Sequence, residues 1–235
     1  MKIAVDFHIH TALSPCGDED MTPNNIINMC ILKGLDAIAI TDHNSVENCI
    51  ACLQVAKNKG IIVIPGMELQ TKEEVHLICL FKSIDKALSF QKLVYDKLPV
   101  KENNPKLFGR QLIFNKKDEV VGENKRMLIG SSNLSINEVF HEVEKRAGII
   151  IPAHVDRNSY SLIGTLGFIP KELSIKTLEV SKTCNLNTFL DKYRYLRKYQ
   201  FIQSSDAHYL WDILERENFI EVDQKNIGSI FESLR

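Results

Sequence analysis

The chain has 235 residues, 44% hydrophobic and 25% charged, with a formal net charge of −1. That length supports one globular core with at most a small insertion. The near-neutral charge points neither to a nucleic-acid duplex nor to a membrane surface as bulk partner.

No apolar run approaches the ~20 residues of a membrane span. The N-terminus runs directly into a strand pattern without a cleavage-site signature, so no signal peptide is expected. Cysteines stand at 16, 30, 49, 52, 79 and 184. Their spacing suggests no disulfide framework, and a reduced, cytoplasmic protein is expected. Cys49-x-x-Cys52 lies in a helical pattern and reads as a pair of structural thiols.

The first half alternates. Residues 2–7 read as a strand. Pro23 opens a helix to about Lys33, with Ile26, Ile27, Cys30 and Ile31 at helical spacing. Residues 35–40 are a short apolar strand, 45–58 a helix, 61–65 a strand and 75–81 another. This rhythm predicts a parallel α/β sheet with outer helices.

The middle is less regular. Residues 84–97 read as a helix, 101–106 as a polar loop, 111–122 as a hairpin and 123–133 as a polar, mobile stretch. Residues 84–133 are together expected to form an irregular insertion. Regularity returns at Ser135, which with Glu138 makes a capping box. Strands follow at 148–153, 177–180, 201–204 and 219–222. Helices are expected at 187–199 and 225–234.

The chemistry gathers at strand ends. Alternation places His8 and His10 on one face of the first strand, with Asp6 beside them. Asp42-His43, Glu68, His154 and Asp206-x-His208 each follow another apolar strand. In parallel α/β folds those ends share one rim, where function collects. Imidazole and carboxylate bind zinc, manganese or iron, and a carboxylate such as Glu68 can bridge two ions. His76 is the exception, early in its strand. His141, on an amphipathic helix, reads as structural or exposed.

The motifs Asp6-Phe7-His8-Ile9-His10-Thr11, Thr41-Asp42-His43-Asn44, Pro65-Gly66-Met67-Glu68, His76, Pro152-Ala153-His154 and Ser205-Asp206-Ala207-His208 resemble, in order and number, those of the PHP (polymerase and histidinol phosphatase) family. The resemblance covers about 1–80 and 148–210. It implies a distorted (β/α)7 barrel forming a single domain, two or three divalent metal ions (zinc, manganese or iron) and phosphoester hydrolysis.

Carried over motif by motif, His8, His10 and Asp206 hold a first ion and His43 and His208 a second. His76 and His154 hold a third, with Glu68 bridging the first and third. The family supplies one more ligand to the second ion from the loop after His10. Counting forward from His10 favours Cys16; counting back from Pro23 favours Asp18. Asp18 is the expected ligand, because the loop reads as lengthened upstream of it.

The resulting expectation is a metal-dependent phosphatase acting on a small phosphorylated metabolite or nucleotide through a metal-activated hydroxide. Glu68 and Asp206 are central to catalysis. Arg157, three residues past His154, is a candidate phosphate clamp, and Lys182 a weaker one. One alternative is a nuclease on short single strands, guided by the basic residues between Lys101 and Arg126. Another is a non-catalytic metal-binding regulatory domain. No obligatory protein partner is indicated.

Overall fold

β1 (Lys2–Ile9) is buried from Ile3 onward. A strand covered on both faces reads as a nearly continuous apolar run, which is why the chain begins as it does. The structure, a computed structural model, describes residues 1–235. After β1 come α1 (Pro23–Leu32), β2 (Ala37–Ile40), α2 (Glu47–Ala56), β3 (Ile62–Gln70), β4 (His76–Leu80) and α3 (Ile84–Lys97). The middle holds α4 (Pro105–Phe108), β5 (Leu112–Phe114), β6 (Val120–Glu123) and α5 (Ile136–Glu144). The chain continues through β7 (Ile149–Pro152), α6 (Leu162–Leu166), β8 (Thr177–Ser181), α7 (Leu186–Lys192), β9 (Gln200–Ser204), β10 (Phe219–Glu221) and α8 (Ile227–Leu234).

The main sheet has six strands in the order β10-β1-β2-β3-β4-β7. β1, β2 and β3 are parallel, as their alternation with helices predicts. β4 is antiparallel to both β3 and β7, and β10 is antiparallel to β1. The sheet is therefore mixed, which corrects the expectation of a parallel one. The linker explains β4: only residues 71–75 separate it from β3, too few for a crossover helix.

The parallel pair β8–β9 continues the curl. Val155 N–H donates to Glu179 O at 2.8 Å, and His10 N–H to Ala207 O at 3.0 Å. The fold is mixed α/β, a curled sheet with helices outside it.

Local signals agree with the helices. Thr22 caps α1 by accepting from Asn25 N–H, with Pro23 in the first turn. The Ser135–Glu138 capping box forms in both directions, and Ile136, Val139 and Val143 are buried. The expected helix over 187–199 instead splits into α7 and a 3-10 turn, Arg194–Lys198. Cys49 and Cys52 are buried in the core. No helix is long and apolar enough to cross a membrane.

Residues 84–133 are not uniform. α3 buries Ala87, Phe90 and Val94 in the larger core cluster, with the Phe90 ring 5.2 Å from that of Phe81. The β5–β6 hairpin forms as expected and packs in a small cluster of Ala12, Leu112 and Phe114. The stretch expected to be mobile is tied down. Leu128 is buried, and Asn44 Nδ2 donates to Leu128 O and Gly130 O at 2.7 and 2.9 Å.

Two apolar clusters sandwich the strands. Ile3, Val5 and Phe7 belong to the one that includes Ile230 and Phe231 of α8. Ala4 and Ile9 belong to the other, beneath α1, α2 and α3. The side of β1 thus switches between Phe7 and Ile9, where its pairing with β2 shifts register. A bulge of this kind re-aims side chains. It turns His8 and His10 toward the face of Ile3, Val5 and Phe7 and leaves Asp6 on the opposite one. Simple alternation, which grouped Asp6 with the histidines, fails here.

Candidate metal centre

His8 and His10 emerge from the bulged end of β1, fully buried. Asp206 and His208 follow β9, His43 follows β2 and His154 follows β7. Glu68 lies within β3, which extends to Gln70 rather than ending near Ile64 as expected. Because β4 is antiparallel, its first residue lies at the rim where the last residues of parallel strands lie. His76 pairs there with Gln70, which resolves its exceptional position in the sequence.

Two residues are aimed by left-handed backbone. His154 has φ 30° and Asp206 φ 52°. Such conformations cost roughly 1–3 kcal/mol and collect at functional sites.

The side chains form three overlapping groups, each with its donor atoms within 4.8 Å of one another. The first is His8, His10, Glu68 and Asp206. Its His8 Nε2 lies 3.1 Å from His10 Nε2, 3.3 Å from Glu68 Oε1 and 3.2 Å from Asp206 Oδ1. The second is His10, His43 and His208. The third is Glu68, His76 and His154, with Glu68 Oε1 2.8 Å from His76 Nδ1 and 3.2 Å from His154 Nε2. His43 Nδ1 approaches Glu68 Oε2 at 2.9 Å. Glu68 therefore stands at the meeting point of all three groups.

Outer hydrogen bonds decide which way the imidazoles point. His8 Nδ1–H donates to the Glu179 carboxylate at 3.0 Å. Ser14 O–H donates to Asp42 Oδ1 at 2.7 Å, so Ser14 Oγ accepts from His10 Nδ1–H at 2.9 Å. His208 Nδ1–H donates to Asp206 O at 2.8 Å. With these Nδ1 protons committed, the Nε2 lone pairs of three imidazoles turn inward. This is how buried metal-ligating histidines are held. His76 Nε2 and His154 Nδ1 are buried without a hydrogen-bond partner, and Glu68 Oε2 has His43 Nδ1 beside it at 2.9 Å but outside hydrogen-bond geometry. Lone pairs facing lone pairs and unpartnered ring nitrogens around a buried carboxylate fit divalent cations.

Electrostatics agree. Burial pushes the Glu68 pKa up, but His76, His8 and His43 outweigh it and hold the carboxyl well below its usual range. For Asp206, burial is likewise outweighed, by the neighbouring His8 and His10 imidazoles. Burial lowers the His8 pKa, and Glu179, Asp206 and Glu68 more than reverse this. His10 is held low, by burial and by the neighbouring His208.

Arg157 is at the rim, its side chain 44% exposed, and Nη1 donates to Asp206 Oδ2 at 2.8 Å. Lys182 pairs instead with Asp212 at 2.5 Å. Asp18 lies outside all three groups. Its Oδ1 accepts from Asp20 N–H at 2.9 Å, and it is Cys16 Sγ that lies 3.1 Å from His208 Nε2. The expectation of Asp18 took the loop as lengthened upstream of it and did not include its turns. It closes in tight turns, with Ser14 N–H bonded to Thr11 O and Gly17 N–H to Ser14 O at 2.8 Å.

Glu179 was absent from the sequence-derived set. A lone acid inside the apolar strand Thr177-Leu178-Glu179-Val180 was its available signal. Asp42, read from sequence as a rim carboxylate, anchors the loop by accepting from Thr11 N–H, Thr11 Oγ1–H and Ser14 Oγ–H. Asp6 accepts from Ser205 N–H and Leu214 N–H, binding the segment that carries Asp206 and His208 to β1.

Comparison with known proteins bears on the fold and the family. An uncharacterized protein of Methanocaldococcus jannaschii is 34% identical over 93 residues, covering 36% of this chain and 54% of the relative. The lesion-specific endonuclease PfuEndoQ of Pyrococcus furiosus superposes with a TM-score of 0.73 at 20% identity, over 100% of this chain and 56% of that one. A Bifidobacterium adolescentis protein named for metal-dependent phosphoesterase activity gives a TM-score of 0.60 at 18% identity, over 98% and 95% of the two chains. At these identities the structural likeness shows the fold alone. The chain spans about half the length of the first two of these relatives. The PHP domain family profile matches residues 6–146, more than half of the sequence, and the chain belongs to the PHP domain family.

Proposed function

We propose that this protein is a metal-dependent phosphoesterase acting on a small phosphorylated metabolite or nucleotide. The observation that carries the reading is the inward commitment of His8, His10 and His208 around the buried Glu68. His8, His10, Asp206 and Glu68 would hold one ion. His43 and His208, beside His10, would hold a second. His76 and His154 would hold a third, sharing Glu68. Zinc, manganese and iron all suit this donor set. When bound, such ions activate water and neutralise charge on a phosphoryl oxygen.

The chain's own groups have distinct tasks. Glu68 spans the groups and fixes their spacing. Asp206 contributes charge and positions the Arg157 guanidinium. That guanidinium, exposed at the mouth, meets phosphate oxygens in a fork. Tyr160 stacks on His76, with ring centroids 5.0 Å apart, and walls one side. No protein nucleophile is required. We also infer that β9 closes against β1 to complete a distorted (β/α)7-type barrel and that residues 1–235 fold as one domain.

A second reading has its own observation. Tyr209 and Trp211 stack at 4.8 Å and 15°, and both are exposed immediately after His208. Base stacking on aromatic rings would suit a short oligonucleotide.

The test is hydrolysis of an aryl phosphate by the intact protein with added manganese or zinc, followed by histidinol phosphate, 3′,5′-bisphosphonucleotides and short RNA. Turnover of a monoester supports the first reading, and turnover of RNA alone the second. A metal-loaded protein that cleaves no phosphoester would overturn both.

A further inference from the structure

The second group, His10, His43 and His208, contains three imidazoles and no carboxylate of its own. Three neutral imidazoles supply no charge of their own to a divalent ion, and the neighbouring Glu68 carboxylate, 2.9 Å from His43 Nδ1, belongs to both other groups. Asp18, the acid expected from the loop after His10, accepts from Asp20 N–H. The side chain that the loop after His10 brings to the edge of this group is Cys16, with Sγ 3.1 Å from His208 Nε2.

The loop is built to keep it there. Asp18 N–H donates to His208 O at 2.9 Å, tying the Cys16 loop to the histidine's own backbone. Gly17 is required behind it: a Cβ at this position would lie 2.4 Å from Thr11 O. His208 Nδ1–H is taken by Asp206 O, so its Nε2 lone pair faces the thiol and the group. Sulfur and nitrogen sharing one tetrahedral zinc lie roughly 3.5 Å apart, given bonds of ~2.3 and ~2.0 Å. The observed spacing needs only a small adjustment. Cys30, Cys49, Cys52 and Cys79 are buried elsewhere in the core.

The geometry points to Cys16 as a thiolate ligand of the second metal position, making it a site of one thiolate and three imidazoles. This rests on the metal-centre reading above and goes beyond it in identity and selectivity. A thiolate makes this position softer than the two served by carboxylates. It therefore favours zinc over manganese, which oxygen-rich donor sets hold better. The centre becomes chemically asymmetric, with a zinc-selective position beside more permissive ones. The bound ion also shields the thiol from alkylation.

Cobalt loading of the intact metal-stripped protein tests this. The wild type is expected to show thiolate-to-cobalt charge-transfer absorption. Cys16→Ala should lose that absorption and bind its second-position ion at least ~10–100-fold more weakly, the cost already typical of losing an outer-shell partner. Asp18→Asn should retain both. Cobalt uptake without the absorption, or its loss in Asp18→Asn instead, overturns the Cys16 assignment while leaving the metal centre standing. No cobalt uptake at all overturns both. Should Cys16→Ala fail to fold, wild-type thiol alkylation decides. Zinc is expected to slow Cys16 modification by about tenfold or more, because only the free thiolate reacts. Equal rates with and without zinc overturn the assignment.

Discussion

The two sides of the rim are built differently. On the side of β1, β8 and β9, His8, His10 and His208 each give their Nδ1 proton to an acceptor: Glu179, Ser14 and the Asp206 carbonyl. On the side of β4 and β7, His76 and His154 each keep one ring nitrogen buried without a partner. One side fixes ring orientation before an ion arrives, and the other relies on Glu68 alone. The first should therefore bind tightly and be hard to strip, and the second should exchange readily. Glu68 joins them.

Removing that join gives the largest effect. Glu68→Ala should bring metal content to at most one ion per chain and reduce phosphoester turnover by ~10³-fold or more, the several kcal/mol that metal ions supply to charge stabilisation. Metal analysis beside an activity assay checks it. Unchanged turnover would break the picture of two sides sharing one carboxylate.

Glu179→Ala comes next. It removes the acceptor for His8 Nδ1–H and for His154 N–H. First-position affinity should fall ~10–100-fold. His76→Ala should weaken only the third position. A competitive chelator titration separates the two, and equal losses would erase the difference between the sides.

Arg157→Ala should lower kcat/KM by roughly 10–100-fold, from losing a charge-assisted hydrogen bond of ~1.5–3 kcal/mol, with metal content unchanged. Arg157→Lys should recover little, because an ammonium lacks the fork. Steady-state kinetics on a phosphomonoester measures this, and full rescue by lysine would remove the clamp role.

The smallest effect concerns pH. The His8 pKa is raised, burial being outweighed by Glu179, Asp206 and Glu68. Protonated His8 therefore stabilises the metal-free fold below the ordinary histidine value of about 6.5, and that contribution is lost as pH rises through its elevated folded value. Metal binding needs the deprotonated ring and so strengthens as pH rises. The Tm difference between metal-loaded and metal-free protein should widen as pH rises toward that value and level off above it. A difference that narrows would contradict the proposed competition between proton and metal.

Much of the rim was legible in the sequence because apolar strands end directly in His8-x-His10, His43, His154 and Asp206-x-His208. What escaped has physical causes. His76 looked displaced because sequence does not show that a five-residue link turns β4 antiparallel. Asp6 was grouped with the wrong face because a bulge interrupts alternation. Cys16 rather than Asp18 lies beside His208 because tight turns, not residue count, set where a loop side chain arrives. Residues 123–133 looked mobile because their anchors, Asn44 and Gln111, are distant in sequence.

The central claim is that the rim holds a shared multinuclear metal centre around Glu68. Anomalous diffraction from a crystal of the metal-loaded protein tests it most directly. The account predicts peaks within bonding distance of His8, His10 and Asp206, of His43 and His208, and of His76 and His154, with Glu68 touching more than one. A rim without anomalous density, or ions bound only at surface carboxylates, would contradict it.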